Sequence, residues 1–156
     1  MSTCLDYCNS LIYGIADGLM QRLQAVQNAA ARLITGARWR DHISPTLQRL
    51  HWLPVRQRVQ FKLAVLVFKA LHGLAPQCLM DDCQLVSAAG RSQLRSSDAV
   101  TCVVPRTCTC LGDRAFGVAG PCLWNALPII LRQSDLSLGQ FRQALKTHLF
   151  DCVCRA

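Results

Sequence analysis

Glutamate is absent from this chain of 156 residues, so nine aspartates carry all of its side-chain negative charge against 17 Lys and Arg, for a net charge of +8. Charged residues make up only 17%, below the quarter or so usual in soluble domains. Beside 51% apolar residues, that scarcity excludes a solvated, disordered tail. Long apolar runs are missing too. The longest, Leu63 to Phe68, falls far short of the ~20 residues of a membrane span. Met1 leads into Ser2, Thr3 and Cys4 rather than a basic and then an apolar region. An intracellular chain, nuclear or cytoplasmic, is therefore expected. The nine glycines are scattered, which excludes a phosphate-cradling loop. No nucleophile elbow accompanies the four histidines, so an acid/base or nucleophilic centre has no local support.

What is present is arginine and cysteine. Fourteen of the 17 basic residues are Arg. A planar guanidinium suits bidentate contact with phosphate, so the balance favours a polyanion such as RNA or DNA. Cysteine occurs ten times. Without an oxidising compartment a disulfide framework is not expected. The close pairs Cys4/Cys8, Cys78/Cys83, Cys108/Cys110 and Cys152/Cys154 lack the two-residue spacing of zinc knuckles and ribbons. His148, Cys152 and Cys154 could gather at a helix end, with Cys108 or Cys110 as a fourth ligand. No metal or other cofactor is assigned.

Helical spacing dominates. Leu19, Leu23, Val26, Ala30 and Leu33 recur at steps of four and three on one helical face, between Asp17 as a candidate N-cap and Gly36 as a stop. A short helix over Leu5 to Tyr13 precedes it. Ser44-Pro45 signals another helix start, running through Leu50. Pro54 opens a helix from Val55 to Leu71 that stops at Gly73 and forms the centre of the core. Arg58, Lys62 and Lys69 share a stripe on it. Residues 84–99, rich in Ser, Ala and Gly, read as an exposed loop. Val100 to Val104 is the best strand candidate, pairing as a hairpin with Arg114 to Val118. Ser137 and Gln140 have capping-box spacing ahead of a last helix. Trp52 and Trp124 read as core anchors. The expected fold is mainly α: one domain with a helical part at 1–83, the loop at 84–99, and a hairpin plus C-terminal helix at 100–156.

One constellation points to binding. Arg32, Arg38, Arg40 and Arg49 surround a turn that contains Trp39, a pattern suited to phosphate neutralisation plus base stacking. Arg58, Lys62 and Lys69 could track phosphates, and Arg91 and Arg95 sit on the loop.

Six phrases carry a family resemblance: Leu5 to Leu11 (LDYCNSL), Val26 to Gly36 (VQNAAARLITG), Leu50 to Lys62 (LHWLPVRQRVQFK), Phe68 to Pro76 (FKALHGLAP), Gly112 to Pro128 (GDRAFGVAGPCLWNALP) and Phe141 to Phe150 (FRQALKTHLF). In this order and spacing they resemble the carboxy-terminal tail of the reverse-transcriptase polyprotein of LINE-type (non-LTR, jockey-like) retrotransposons. The resemblance implies a parent RNA-directed DNA polymerase whose endonuclease and palm lie upstream of the first phrase. It implies for this chain a non-catalytic, post-thumb region with low-specificity RNA or DNA binding, and the upstream polymerase domain as the parent's partner. Leu79-Met80-Asp81-Asp82 is similar to the aromatic-x-Asp-Asp turn of polymerases, but Leu79 replaces the aromatic residue and no strand is apparent nearby. It reads as a solvated helix end. Cys108, Cys110, Cys122 and Cys152 depart from the family's usual residues, as mutational drift would leave them. A domesticated protein-interaction module and a translated relic without selected function are the other readings.

Overall fold

The computed structural model describes residues 9–87, 100–133 and 135–154. Six α-helices are found among them: α1 (Asp17–Thr35), α2 (Ile43–Arg49), α3 (Val55–Leu71), α4 (Gln77–Asp81), α5 (Phe116–Ala126) and α6 (Leu138–Cys154). Short 3-10 turns lie at Asn9–Ile12, Gly112–Arg114 and Ile129–Arg132. The mainly helical expectation holds.

Helix α3 is the centre. It buries Val59, Leu63, Ala64, Val67 and Phe68, a spread wider than one stripe, as befits a helix packed from several sides. Phe68 stacks on Phe141 of α6 with ring centroids 4.4 Å apart, and Trp124 of α5 lies 5.8 Å from Phe141. Trp124 is 1% exposed and anchors this aromatic centre, whereas Trp52 is only half-buried. Helix α5 approaches closely: a Cβ on Gly120 would stand 2.8 Å from Val67 Cγ2. Only glycine permits that approach.

Several boundaries follow the signals in the chain. Gly36 adopts a left-handed conformation (φ 68°) and its N–H donates to the Arg32 carbonyl at 2.8 Å. Gly73 (φ 69°) closes α3, with the Leu74 N–H donating to the Lys69 carbonyl at 2.8 Å. The capping box forms: the Ser137 N–H donates to Gln140 Oε1 at 3.0 Å, and the Gln140 N–H to Ser137 Oγ at 3.3 Å. Other starts differ. Ala16, not Asp17, precedes α1, and Asp17 instead pairs with Arg56. Helix α2 begins at Ile43, so Pro45 is its third residue rather than its first. Proline is still tolerated there, because the first-turn N–H groups have no helical partner.

The expected hairpin is not formed. Arg114 ends a 3-10 turn, Ala115 is extended, and Phe116 begins α5, with the Ala119 N–H donating to the Ala115 carbonyl at 2.8 Å. Gly120 lets this helix sit close against Val67 of α3. Pro121 lies inside α5 and is buried. It costs a helical hydrogen bond. Val100 to Val104 finds a different partner: Leu85 and Cys102 form an antiparallel bridge, with the Val86 N–H donating to the Thr101 carbonyl at 2.9 Å and the Val103 N–H to the Gln84 carbonyl at 2.8 Å. On its other side this segment is held by α5. Trp124 Nε1 donates to the Val100 carbonyl at 2.9 Å, and Asn125 bonds both backbone groups of Cys102. Residues 88–99, the rest of the stretch read as a loop, lie outside the described residues.

Helix α1 is turned opposite to its apolar spacing. Its buried residues are Met20, Gln27 and Ala31, while Leu19, Val26 and Leu33 are exposed. Two glutamines fix this orientation. Gln27 Nε2 donates to the Leu53 carbonyl at 2.8 Å, and Gln24 Oε1 accepts from the Val55 N–H at 2.8 Å, supplying the first turn of α3 with a long-range cap.

Candidate nucleic-acid interface

The sequence places its basic residues in three groups, and the structure separates them by use. Arg114 is structural: its guanidinium donates to the Tyr13 carbonyl at 3.1 Å and tethers the first 3-10 turn. Arg56 is engaged with Asp17, and Arg132 reaches Thr101 Oγ1 at 3.4 Å.

The turn after α1 is an exposed aromatic and basic surface. Trp39 is 81% exposed. The Arg32 guanidinium carbon lies 5.2 Å from the Trp39 ring centroid, a cation–π contact that holds the indole while leaving it open to solvent. Arg38 and Arg40 flank it, both exposed. The Arg38 backbone N–H donates to Asp41 Oδ2 at 2.8 Å, and the Asp41 N–H returns to the Arg38 carbonyl at 3.1 Å, which fixes the turn. Arg49 is exposed at the end of α2.

The stripe on α3 is also present. Lys62 is exposed, while Arg58 and Lys69 are half-buried. Arg58 belongs to a further feature that the sequence reading did not assemble. A groove of about 510 Å³ runs between α3 and α6, lined by His51, Arg58, Phe61, Arg142, Gln143 and Lys146 among others. Among the described residues no carboxylate lines it. Arg142 and Lys146 stand four apart on α6, but their approach to Arg58 depends on the stacking of Phe68 on Phe141, a tertiary fact.

His51 sits on this groove in an unusual backbone state. It closes α2: its N–H donates to the Gln48 carbonyl at 2.9 Å, and the Trp52 N–H donates to the Leu47 carbonyl at 2.8 Å. That is the Schellman arrangement, which favours glycine at the left-handed position. Here histidine holds φ 53°.

Arg91 and Arg95 lie outside the described residues. Asp81 ends α4, exposed, and accepts from Gln77 Nε2 at 2.8 Å. Asp82, also exposed, lies against Gly117 in the first turn of α5, where a helix dipole favours negative charge. Cys152 Sγ is 3.8 Å from His148 Nε2, but among the described residues no three His, Cys or Asp side chains converge on a metal position. Seven described cysteines are free thiols; Cys83 and Cys102 are buried, and Cys78, Cys108, Cys110, Cys122 and Cys152 are exposed. No helix among the described residues is long and apolar enough to cross a membrane.

No protein-family model, curated protein or solved structure matches the chain.

Proposed function

We propose that the chain is a non-catalytic RNA- or DNA-binding segment of low sequence specificity, similar to the post-thumb region of a LINE-type reverse transcriptase. The observation that supports this reading is the groove lined by Arg58, Arg142 and Lys146, with no carboxylate among its described lining residues. Three cations on a concave surface repel one another and attract a polyanion, so phosphate is the complementary ligand. The groove presents long side chains, the Phe61 ring and the His51 imidazole rather than a rigid set of donors and acceptors aimed at base edges. That composition favours backbone contact over sequence readout. The Arg32–Trp39 surface supplies an open aromatic face for stacking.

The test is a salt titration of binding to a fluorescent single-stranded RNA. Two phosphate contacts, from Arg142 and Lys146, give a slope of log affinity against log salt of about −1.4. Arg142→Glu together with Lys146→Glu flattens that slope and weakens binding at low salt. Absence of binding at low salt would sink the reading.

A further inference from the structure

The apolar face of α1 is largely uncovered among the described residues. Leu19, Val26 and Leu33, seven residues apart, are 51%, 60% and 86% exposed. Leu23 and Ala30 lie half-buried along one edge of the strip, and Ala25 and Ala29 are exposed along the other. The spacing is that of a coiled-coil seam. Arg22 is the one charged residue within the strip; Arg32, seven residues after Ala25 at its outer edge, is held over the Trp39 ring, and Asp17, at the start of the helix, is engaged with Arg56.

We propose that α1 pairs antiparallel with α1 of a second copy of this chain, about a two-fold axis at Val26. The pattern is self-complementary in that orientation. With Val26 on the axis, Leu19 meets Leu33 of the second copy, and Leu23 meets Ala30 of the second copy on the same edge, a large residue against a small one. Arg22 lies beside Ala29 of the second copy. The two Arg22 residues then stand eight positions apart, about 12 Å along the helix, beyond the ~8 Å screening length at physiological salt. A parallel pair would set Arg22 beside Arg22. A partner of opposite charge has little to recognise, since the face offers a single cation. From Leu19 to Leu33 the strip is about 21 Å long. Even with Ile34, 57% exposed, it stays below the ~1,000 Å² of a permanent interface. The association is therefore reversible and concentration-dependent, with the closed isologous geometry of a dimer.

Sedimentation of the full chain, without nucleic acid, tests this. The mass is expected to rise from one chain to two across the micromolar range. Val26→Glu sets two carboxylates against each other on the axis and weakens association by about tenfold or more. Leu33→Glu does the same from a still more exposed position, and circular dichroism identifies whichever variant keeps the native helical signal. The double variant Leu19→Glu, Leu33→Lys recovers association lost by Leu19→Glu alone, because the antiparallel register puts opposite charges across from one another. A monomer at every concentration would overturn the proposal. So would a dimer indifferent to Val26→Glu, or a double variant as weak as the single one.

Discussion

Gln27 Nε2 donates to the Leu53 carbonyl across 2.8 Å, from a side chain with no exposed surface. The bond joins the middle of α1 to the corner that opens α3. Gln24 supports it from one turn earlier, donating to Gln27 Oε1 at 3.0 Å while accepting from the Val55 N–H. A neutral buried bond contributes about 1 kcal/mol, and removing one partner costs about 1–3 kcal/mol when the other stays buried. Gln27→Met keeps the volume and removes the donor. It is predicted to destabilise the chain by about 2 kcal/mol, read as a lower urea midpoint at unchanged slope. A shift below about 0.5 kcal/mol, the size of an ordinary surface change, would show that this bond does not orient α1.

Asn125 performs the work of a neighbouring strand. Its Oδ1 accepts from the Cys102 N–H at 2.9 Å and its Nδ2 donates to the Cys102 carbonyl at 2.9 Å. Cys102 is buried, so both backbone groups depend on a partner. Asn125→Ala removes both bonds at once, for a predicted loss of about 2–3 kcal/mol. Asn125→Asp is predicted to be worse at neutral pH. It keeps the acceptor but turns a second, charged oxygen toward the Cys102 carbonyl. Thermal denaturation of the two variants ranks them, and an aspartate variant as stable as the parent would refute the pairing.

These two residues show what the sequence could disclose. Helix ends were legible wherever one residue acts on its own chain neighbours. Gly36, Gly73 and the Ser137–Gln140 box all behave as their spacing requires. The α1 face was not legible as inward or outward, because periodicity identifies a stripe without saying what covers it. Gln24 and Gln27 decide that through residues 31 and 26 positions away. The hairpin failed for a related reason. Val100 to Val103 does find a partner, but in Gln84 to Val86 and in the Asn125 side chain. The groove was half-legible: its Arg142–Lys146 pair is local, and its closure against Arg58 is not.

Burial divides the cysteines into two chemical classes. It pushes the Cys83 thiol up to about 11, with Asp82 adding to the effect. It pushes Cys102 up to about 12, with the adjacent Cys83 adding and Arg132 opposing. The thiolate is the nucleophile, so both are predicted to resist iodoacetamide at mildly alkaline pH while exposed Cys108 and Cys110 react. Site-resolved mass spectrometry reads the difference. The same shifts set a pH dependence. Thiols with raised folded values stay protonated when the unfolded chain has begun to lose protons. Stability from this source is therefore full below about pH 9 and declines as pH rises, toward about 11 for Cys83 and about 12 for Cys102. Cys102→Ala should flatten that decline, and an unchanged pH profile would count against the assignment.

His51 and Gly73 occupy the same position of the same helix-ending motif, one with φ 53° and the other with φ 69°. Glycine takes this conformation without strain, whereas a side chain there costs about 1 kcal/mol. Histidine at the lip of the basic groove thus holds a place where local stability alone would select glycine. His51→Gly is predicted to raise stability by about 0.5–1 kcal/mol. If the groove binds nucleic acid, the same variant weakens RNA affinity severalfold, because the groove loses a ring that lines it. Arg142→Glu supplies the comparison, weakening RNA binding without that gain in stability. The pair of measurements separates two reasons for a strained residue. Higher stability with lower affinity ties the strain to binding. Higher stability with unchanged affinity removes His51 from the interface and leaves the groove to Arg58, Arg142 and Lys146.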